Sequence, residues 1–215
     1  MDKLITKTSK LGRSKQPVVL EGQPEAEEKV KLLLLDKILS TKTCSRLVVK
    51  DIISKVWNTI NEVEVSVVDK NVFMFSFNHE VDMRRVWDRR PWSFKGDHVI
   101  LKKYDPDLSF NEVDFSFSDY WIQILGLPLN RQHDSSLQKI ETIIGSFVET
   151  DLSGSGGGGG CHFVRVRVGF EINRPLPTGF PLDQGKLPAL WIPFKFERLG
   201  NFCYGCGILG HDIKS

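Results

Sequence analysis

The residues best suited to chemistry lie in the C-terminal run 203–211, which reads Cys-Tyr-Gly-Cys-Gly-Ile-Leu-Gly-His. Two thiolates separated by two residues can occupy adjacent corners of a tetrahedral zinc ion, and an imidazole shortly afterwards can supply a third ligand. Gly207 and Gly210 permit the tight backbone turns that such a small loop requires. The spacing therefore predicts a zinc site whose ligands are Cys203, Cys206 and His211.

The same run resembles the CCHC zinc knuckle of retroviral and retrotransposon nucleocapsid proteins, which have an aromatic residue where Tyr204 stands. In that family a cysteine follows the histidine after four further residues, and here the sequence stops with those four residues, 212–215. We therefore expect a truncated knuckle that lacks its last ligand.

An open zinc position is typical of catalytic sites. However, so small a loop offers neither a substrate pocket nor a general base, and we predict no catalysis there.

The knuckle predicts a contact with unpaired bases. If zinc folds the loop, Tyr204 and Ile208 line a shallow apolar platform, and single strands are commonly held by stacking on such platforms. The alternative is that Tyr204 packs on Phe202 and on the preceding domain. Stacking predicts RNA or single-stranded DNA as the partner.

The sequence before this loop is predicted to form short helices and strands, because apolar residues recur at helical spacing in some segments and alternate in others. The predicted elements are a run at 32–35 that fits a strand or a helix start, a helix at 45–59, strands at 62–68 and 72–77, a helix capped by Asn78 and ended by Pro91, and a strand at 98–104. This is the βαββαβ order of ferredoxin-like folds and RNA-recognition modules. We predict such an α+β domain over residues 29–105.

Composition divides the rest of the chain. Residues 1–28 lack apolar periodicity and are predicted to be a flexible arm, whose lysines either hold phosphate or form a solvated tail. Residues 106–200 are predicted to form a second, smaller α+β unit that resembles half of the first. Its elements are strands at 120–125, 163–172 and 190–196 and a helix that carries Leu137, Ile140, Ile144 and Phe147. The glycine and serine tract at 153–160 is predicted to be a flexible loop, and the truncated knuckle occupies 201–215.

The strand at 72–77 aligns with an RNA-recognition signature, but its usual stacking positions are Val72 and Met74. Its aromatic residues alternate with these positions and are expected to face the helices. We therefore predict that Phe73, Phe75 and Phe77 belong to the core. This domain would be an RNA-recognition scaffold without its stacking rings.

Basic residues form further candidate nucleic-acid contacts. They are Arg84 and Arg85, with Arg89 and Arg90, around the second helix, Lys102 on the fourth strand, and Arg165 and Arg167 on alternate positions of a later strand. Alternate arginines expose a row of guanidinium groups that can bind a phosphate backbone. The alternative is a solvated sheet face balanced by nearby acids such as Glu171.

Composition excludes several classes of protein. The net charge of +2 supplies no overall basic field, so any nucleic-acid contact must be local. The sequence has no apolar run of membrane-spanning length and no secretory signal, so we expect an intracellular protein of the nucleus or cytoplasm without membrane contact. Phosphate-binding loops, GxSxG elbows and paired metalloprotease histidines are absent from the sequence. We predict that the protein is not an enzyme and has no small-molecule substrate.

Several longer segments resemble the plant gag-like family in which an uncharacterised domain precedes a CCHC knuckle. The likeness is carried by residues 73–82, 90–94, 120–128 and 196–203. That family occurs in the first open reading frames of LINE-type retrotransposons and in their host-gene derivatives. The resemblance implies binding of RNA or single-stranded nucleic acid, assembly of a ribonucleoprotein with self-association, and no catalysis.

The competing hypothesis is a protein-interaction scaffold with a relic knuckle. The missing stacking aromatics and the near-zero net charge favour it. Binding to single-stranded RNA at low salt distinguishes the two hypotheses.

Overall fold

The computed structural model describes residue 20 and residues 32–151 and 163–213. Two expectations lie outside these residues: the arm at 1–28, apart from residue 20, and the glycine and serine loop at 153–160. The described residues form two antiparallel five-stranded sheets with few helices, which confirms a mixed α+β protein.

The first sheet has the strand order β2-β3-β1-β5-β4. Its elements are β1 Leu33–Leu39, α1 Arg46–Val56, β2 Glu64–Asp69, β3 Val72–Ser76, α2 Glu80–Asp88, β4 Trp92–Phe94 and β5 Asp97–Lys103. The ambiguous run at 32–35 belongs to a strand, because β1 pairs with β3 on one side and with β5 on the other. The short β4, which pairs with β5, was not predicted.

Both helices cover one side of the first sheet, and their ends follow local side-chain chemistry. Ser45 caps α1 by accepting a hydrogen bond from the Val48 backbone N–H. The predicted cap at Asn78 was wrong: α2 is preceded by His79, whose side chain makes no capping bond. The helix predicted to reach 59 ends at Val56, and Trp57 turns fully into the core.

Aromatic residues dominate this first core. The Trp57 ring lies 4.7 Å from the Phe75 ring, edge to face, and 6.0 Å from the Phe77 ring. The alternation of β3 is confirmed, since Phe73, Phe75 and Phe77 are buried on the helix side while Val72 and Met74 face the other way. Aromatic pairs of this geometry stabilise a core beyond the area that they bury.

The second sheet has the strand order β7-β8-β6-β10-β9. Its elements are β6 Phe117–Leu125, α3 Asp134–Ile144, β7 Ser146–Asp151, β8 Phe163–Glu171, β9 Gly179–Gln184 and β10 Leu187–Phe196. This order repeats the first sheet strand for strand, with β6 in the place of β1. The described residues contain no helix between β8 and β9, so the second unit repeats the whole sheet but only one helix.

Two edge strands of this unit, β7 and β9, were not predicted from the sequence. Phe147 was predicted to lie on the helix, but α3 ends at Ile144 and Phe147 is an exposed residue of β7. The helix stops where Gly145 approaches the Gly169 carbonyl so closely that a Cβ would lie only 2.3 Å from its oxygen. The other missed strand, β9, contains Pro181 at the sheet edge, where its missing N–H is tolerated.

The core of the second unit includes a residue of the first sheet. We call the side of the first sheet opposite its helices the open face; it presents Leu35, Ile100 and Lys102. Ile100 is fully buried among apolar residues of the second sheet, including Tyr120 and Ile122. The same side of the second sheet packs on α3, so the first sheet covers apolar area that one helix leaves bare.

His98 lies at the joint between the sheets. Its Nε2 is 2.8 Å from Ser118 Oγ, and its ring stacks on Tyr120 with centroids 4.9 Å apart. Burial lowers the pKa of His98 from 6.5 to about 3. The imidazole is therefore neutral in the folded protein at physiological pH.

Acidification should destabilise the protein through His98. Its folded pKa lies below its unfolded pKa, so the unfolded chain binds a proton between pH 6.5 and about 3 that the folded chain excludes. We expect the wild type to lose about 2 kcal/mol more free energy of unfolding between pH 7 and pH 4.5 than His98→Asn does. Urea unfolding at both pH values measures this difference. Equal losses in the two proteins would contradict a neutral buried His98.

Candidate zinc site and nucleic-acid interface

Backbone hydrogen bonds close the knuckle loop into a tight turn. Cys203 N–H donates to the Ile208 carbonyl over 2.9 Å, and Gly207 N–H donates to the Cys203 carbonyl over 2.7 Å. Gly207 and Gly210 have φ angles of 75° and 84°, which disfavour residues with a Cβ. The predicted role of these glycines is confirmed by their conformation.

The turn brings together the three predicted ligands Cys203, Cys206 and His211. Their ligand atoms lie within 4.8 Å of one another, and Cys206 Sγ is 3.3 Å from His211 Nε2. A tetrahedral zinc ion with ordinary bond lengths separates sulfur and nitrogen ligands by roughly 3.6 Å. The described residues therefore fit a zinc ion with little rearrangement.

The backbone prepares Cys203 for metal binding. The N–H groups of Cys206 and then Gly205 point at Cys203 Sγ and lower the pKa of this thiol. A lower pKa favours the thiolate, which is the form that coordinates zinc. Cys203 is buried and Cys206 is exposed, so the site opens to solvent on one side.

The knuckle is anchored on both units and does not hang from a free tail. Leu209 is buried in the core of the second sheet. Leu176 N–H donates to the Gly207 carbonyl over 2.9 Å, and Asn201 N–H donates to the Gly96 carbonyl over 2.7 Å. This docking was not predicted from the sequence, because its contacts join residues that are far apart in the chain.

The platform residues lie on the outside of this docked loop. The Tyr204 side chain is 83% exposed, while its ring contacts Phe202 with centroids 4.6 Å apart. Ile208 is half-buried beside it. Phe202 thus supports the Tyr204 ring, and much of that ring remains open to a ligand.

These features describe a mixed α+β protein with a C-terminal knuckle. Residues 26–112 match the family described as "Domain of unknown function (DUF4283)", and residues 184–215 match the family described as "Zinc knuckle". No curated protein matches the chain. A DUF4283 domain is therefore followed by a zinc knuckle, in which Cys203, Cys206 and His211 form the candidate zinc site.

The predicted arginine row lies on the outward face of the second sheet, and carboxylates pair with it. Arg165 binds Glu197 through two hydrogen bonds of 2.9 and 2.8 Å. Arg167 is buried, with Nη1 2.9 Å from Glu149. The balancing acids come from β6, from β7 and from the end of β10, and not from Glu171. A role for this row in nucleic-acid binding stays a prediction.

The predicted basic residues Arg84, Arg85 and Lys102 do not converge on one surface. Arg84 pairs with Glu80 over 2.8 Å, and Arg85 donates to the Asn58 carbonyl over 2.9 Å, both on the helix side of the first sheet. Lys102 is half-buried on the open face, on the other side of that sheet. A single strand bound across one of these sides does not reach the other.

A lysine groove beside the knuckle was missed. Two adjoining cavities of about 280 Å³ each share Ser40, Thr41 and Gly210. The groove is lined by the lysines Lys37, Lys42, Lys70 and Lys95. None of these lysines forms a salt bridge with another described residue. No sequence pattern signalled the groove, since its lysines come from separate elements of the first unit.

No helix within the described part of the chain has the length and apolar character needed to cross a membrane.

Loss of one thiol should abolish zinc binding. We expect Cys206→Ser to lower zinc affinity by more than the roughly 10- to 100-fold that loss of an outer-shell contact costs. Because Cys206 is exposed, the variant should keep its fold. The readouts are zinc stoichiometry by native mass spectrometry and visible absorption of the cobalt-substituted protein. Cys44→Ser is the matched control, and equal metal content in both variants would show that Cys206 is not a ligand.

Proposed function

We propose that the protein binds single-stranded RNA or DNA without catalysing a reaction, as an intracellular gag-like protein derived from a retrotransposon. The observation that carries the proposal is an exposed tyrosine on a zinc-knuckle loop whose ligand atoms already lie together. Zinc stiffens the loop, and a ring held in place loses little entropy when a base stacks on it.

Charge beside the knuckle supports the proposal. The lysine groove reaches the ligand His211 through a cavity that Lys42 and Lys95 also line. Unpaired lysines can hold phosphate groups and release their counterions, which gives affinity that falls as salt rises. Asp97 and Asp212 line the same cavity, so the groove is only moderately basic.

The open face of the first sheet is not the binding surface in this proposal. Its helices lie on one side of a sheet with central strands β1 and β3, an arrangement similar to that of RNA-recognition modules. In those modules single strands bind the side of the sheet that lies opposite the helices. Here Leu35 and Ile100 on that face are fully buried, and the second sheet covers Ile100. The strand must therefore bind elsewhere, and the knuckle offers an exposed ring.

Several of the ionisable residues whose pKa burial shifts lie in the interior, which favours a protein without catalysis. Asp36 lies inside the first unit, Glu141 faces β7 from helix α3, and His98 lies between the sheets. All are buried, so a substrate has no access to them. Burial raises the pKa of Asp36 and of Glu141, which favours their neutral forms.

The β9–β10 hairpin favours a second candidate function. Leu187, Leu190 and Trp191 of β10 are all exposed, and exposed apolar surface can mark a protein contact. A protein-interaction scaffold, including self-association, would use this hairpin. A complex that survives nuclease and moderate salt would support the scaffold.

Removal of the Tyr204 ring should weaken single-strand binding. Base stacking on an aromatic side chain contributes about 1–3 kcal/mol. We therefore expect Tyr204→Ala to raise Kd about tenfold or more, whereas Tyr204→Phe keeps the ring and should bind like the wild type. Fluorescence anisotropy with a labelled 12-nucleotide RNA at low salt measures both effects.

The same binding measurement can contradict the proposed function. If the zinc-loaded wild type binds the RNA no better than an acidic control protein does, the protein is not a single-strand binder. Equal loss of affinity in Tyr204→Ala and Tyr204→Phe would point to the hydroxyl group and not to stacking.

A further inference from the structure

A second basic surface lies between the units, away from the zinc ligands. A cleft of about 200 Å³ separates the C-terminal end of α2 from the outward face of the second sheet. We call it the arginine cleft, and its principal lining residues are Arg89, Arg90, Arg165, Arg198, Trp121 and Glu197. It joins basic residues from three regions of the chain.

The charges of the cleft are only partly balanced. Arg90 pairs with Asp119 over 2.7 Å, and Arg165 is held by Glu197. Arg89 and Arg198 are exposed, and neither forms a salt bridge with another described residue. The guanidinium groups of Arg89 and Arg198 thus line the cleft without a salt-bridge partner among the described residues, and the exposed carboxylate Asp88 lines it beside them.

Contacts within the protein already hold the guanidinium groups of Arg198 and Arg165. Arg198 Nη1 donates to the Arg89 carbonyl over 2.5 Å, and Arg198 has a φ angle of 51°, which is uncommon for a residue with a side chain. Arg165 lies 4.2 Å from the centre of the Trp121 ring. An ordered guanidinium loses less entropy on binding than a free side chain does.

We propose that the arginine cleft binds the phosphodiester backbone of the same single strand that the knuckle holds. This inference rests on the proposed function and adds a second contact to it. Guanidinium groups pair with phosphate oxygens in a bidentate geometry, and Trp121, half-buried at the floor, offers an aromatic edge to the adjoining sugar or base. Backbone contacts of this kind set the position of a strand without reading its sequence.

The distance along the chain supports one strand that spans both sites. Arg198 precedes Cys203 by five residues, which reach at most about 18 Å when fully extended. A few nucleotides can bridge that separation. An acidic protein segment also carries negative charge, but it has no reason to extend to the aromatic platform of the knuckle.

The test compares a double variant with a matched control. We expect Arg89→Ala/Arg198→Ala to raise Kd for a 12-nucleotide RNA about tenfold and to reduce the salt slope by about 1.4, the contribution of two phosphate contacts on a single strand. The control Arg131→Ala/Lys186→Ala removes equal charge from exposed residues outside the cleft and should change little. Zinc content should stay at the wild-type value in both.

A second variant guards against misfolding, because Arg198 also bonds the Arg89 carbonyl. Arg89→Glu changes only an exposed side chain and should lower affinity at least as strongly, with an unchanged Tm. If wild-type binding is normal and these variants match it in affinity and salt slope, the cleft is not a phosphate site. If the wild type does not bind at all, the proposed function itself fails. Displacement of the RNA by polyglutamate at equal charge would assign the cleft to acidic protein segments.

Discussion

The packing of the open face of the first sheet against the second sheet is the contact on which the rest of the structure depends. The second unit repeats the strand order of the first but has one helix, and this leaves apolar area on its inner side uncovered. Ile100 fills that gap, and His98 stacks on Tyr120 beside it. Burial of this area holds the two units together without a linker helix, because apolar surface removed from water supplies the main favourable free energy.

The same contact decides where a ligand can bind. A sheet with helices on one side usually offers its other side to partners, but here the second unit occupies that side. The accessible surfaces therefore lie at the margins of the joint. The knuckle docks at one margin through Leu209, and the arginine cleft opens at another between α2 and β6. Both surfaces are made of residues from two units, so each depends on the joint being intact.

Charge pairing explains how a nearly neutral protein can carry local basic surfaces. Several arginines are balanced within hydrogen-bond distance, as Arg84 is by Glu80 and Arg165 is by Glu197. Cations without a salt-bridge partner among the described residues include the four lysines of the lysine groove, Arg89 and Arg198. A single strand that crosses these sites contacts cations that form no salt bridge with a carboxylate. Such contacts position a nucleic-acid backbone without specifying its sequence. The exposed apolar residues of the β9–β10 hairpin, Trp191 among them, suit a protein contact better.

Sequence alone determined the features that depend on near neighbours. The spacing of Cys203 and Cys206 predicted the metal site, and the alternation of β3 predicted that Phe75 faces the helices, because both follow from local geometry. Only the tertiary structure decided which sheet face is covered, which acids pair with Arg165, and that Arg198 meets Arg89. These contacts join residues far apart in the chain, and no periodicity in a sequence encodes which distant surfaces will meet.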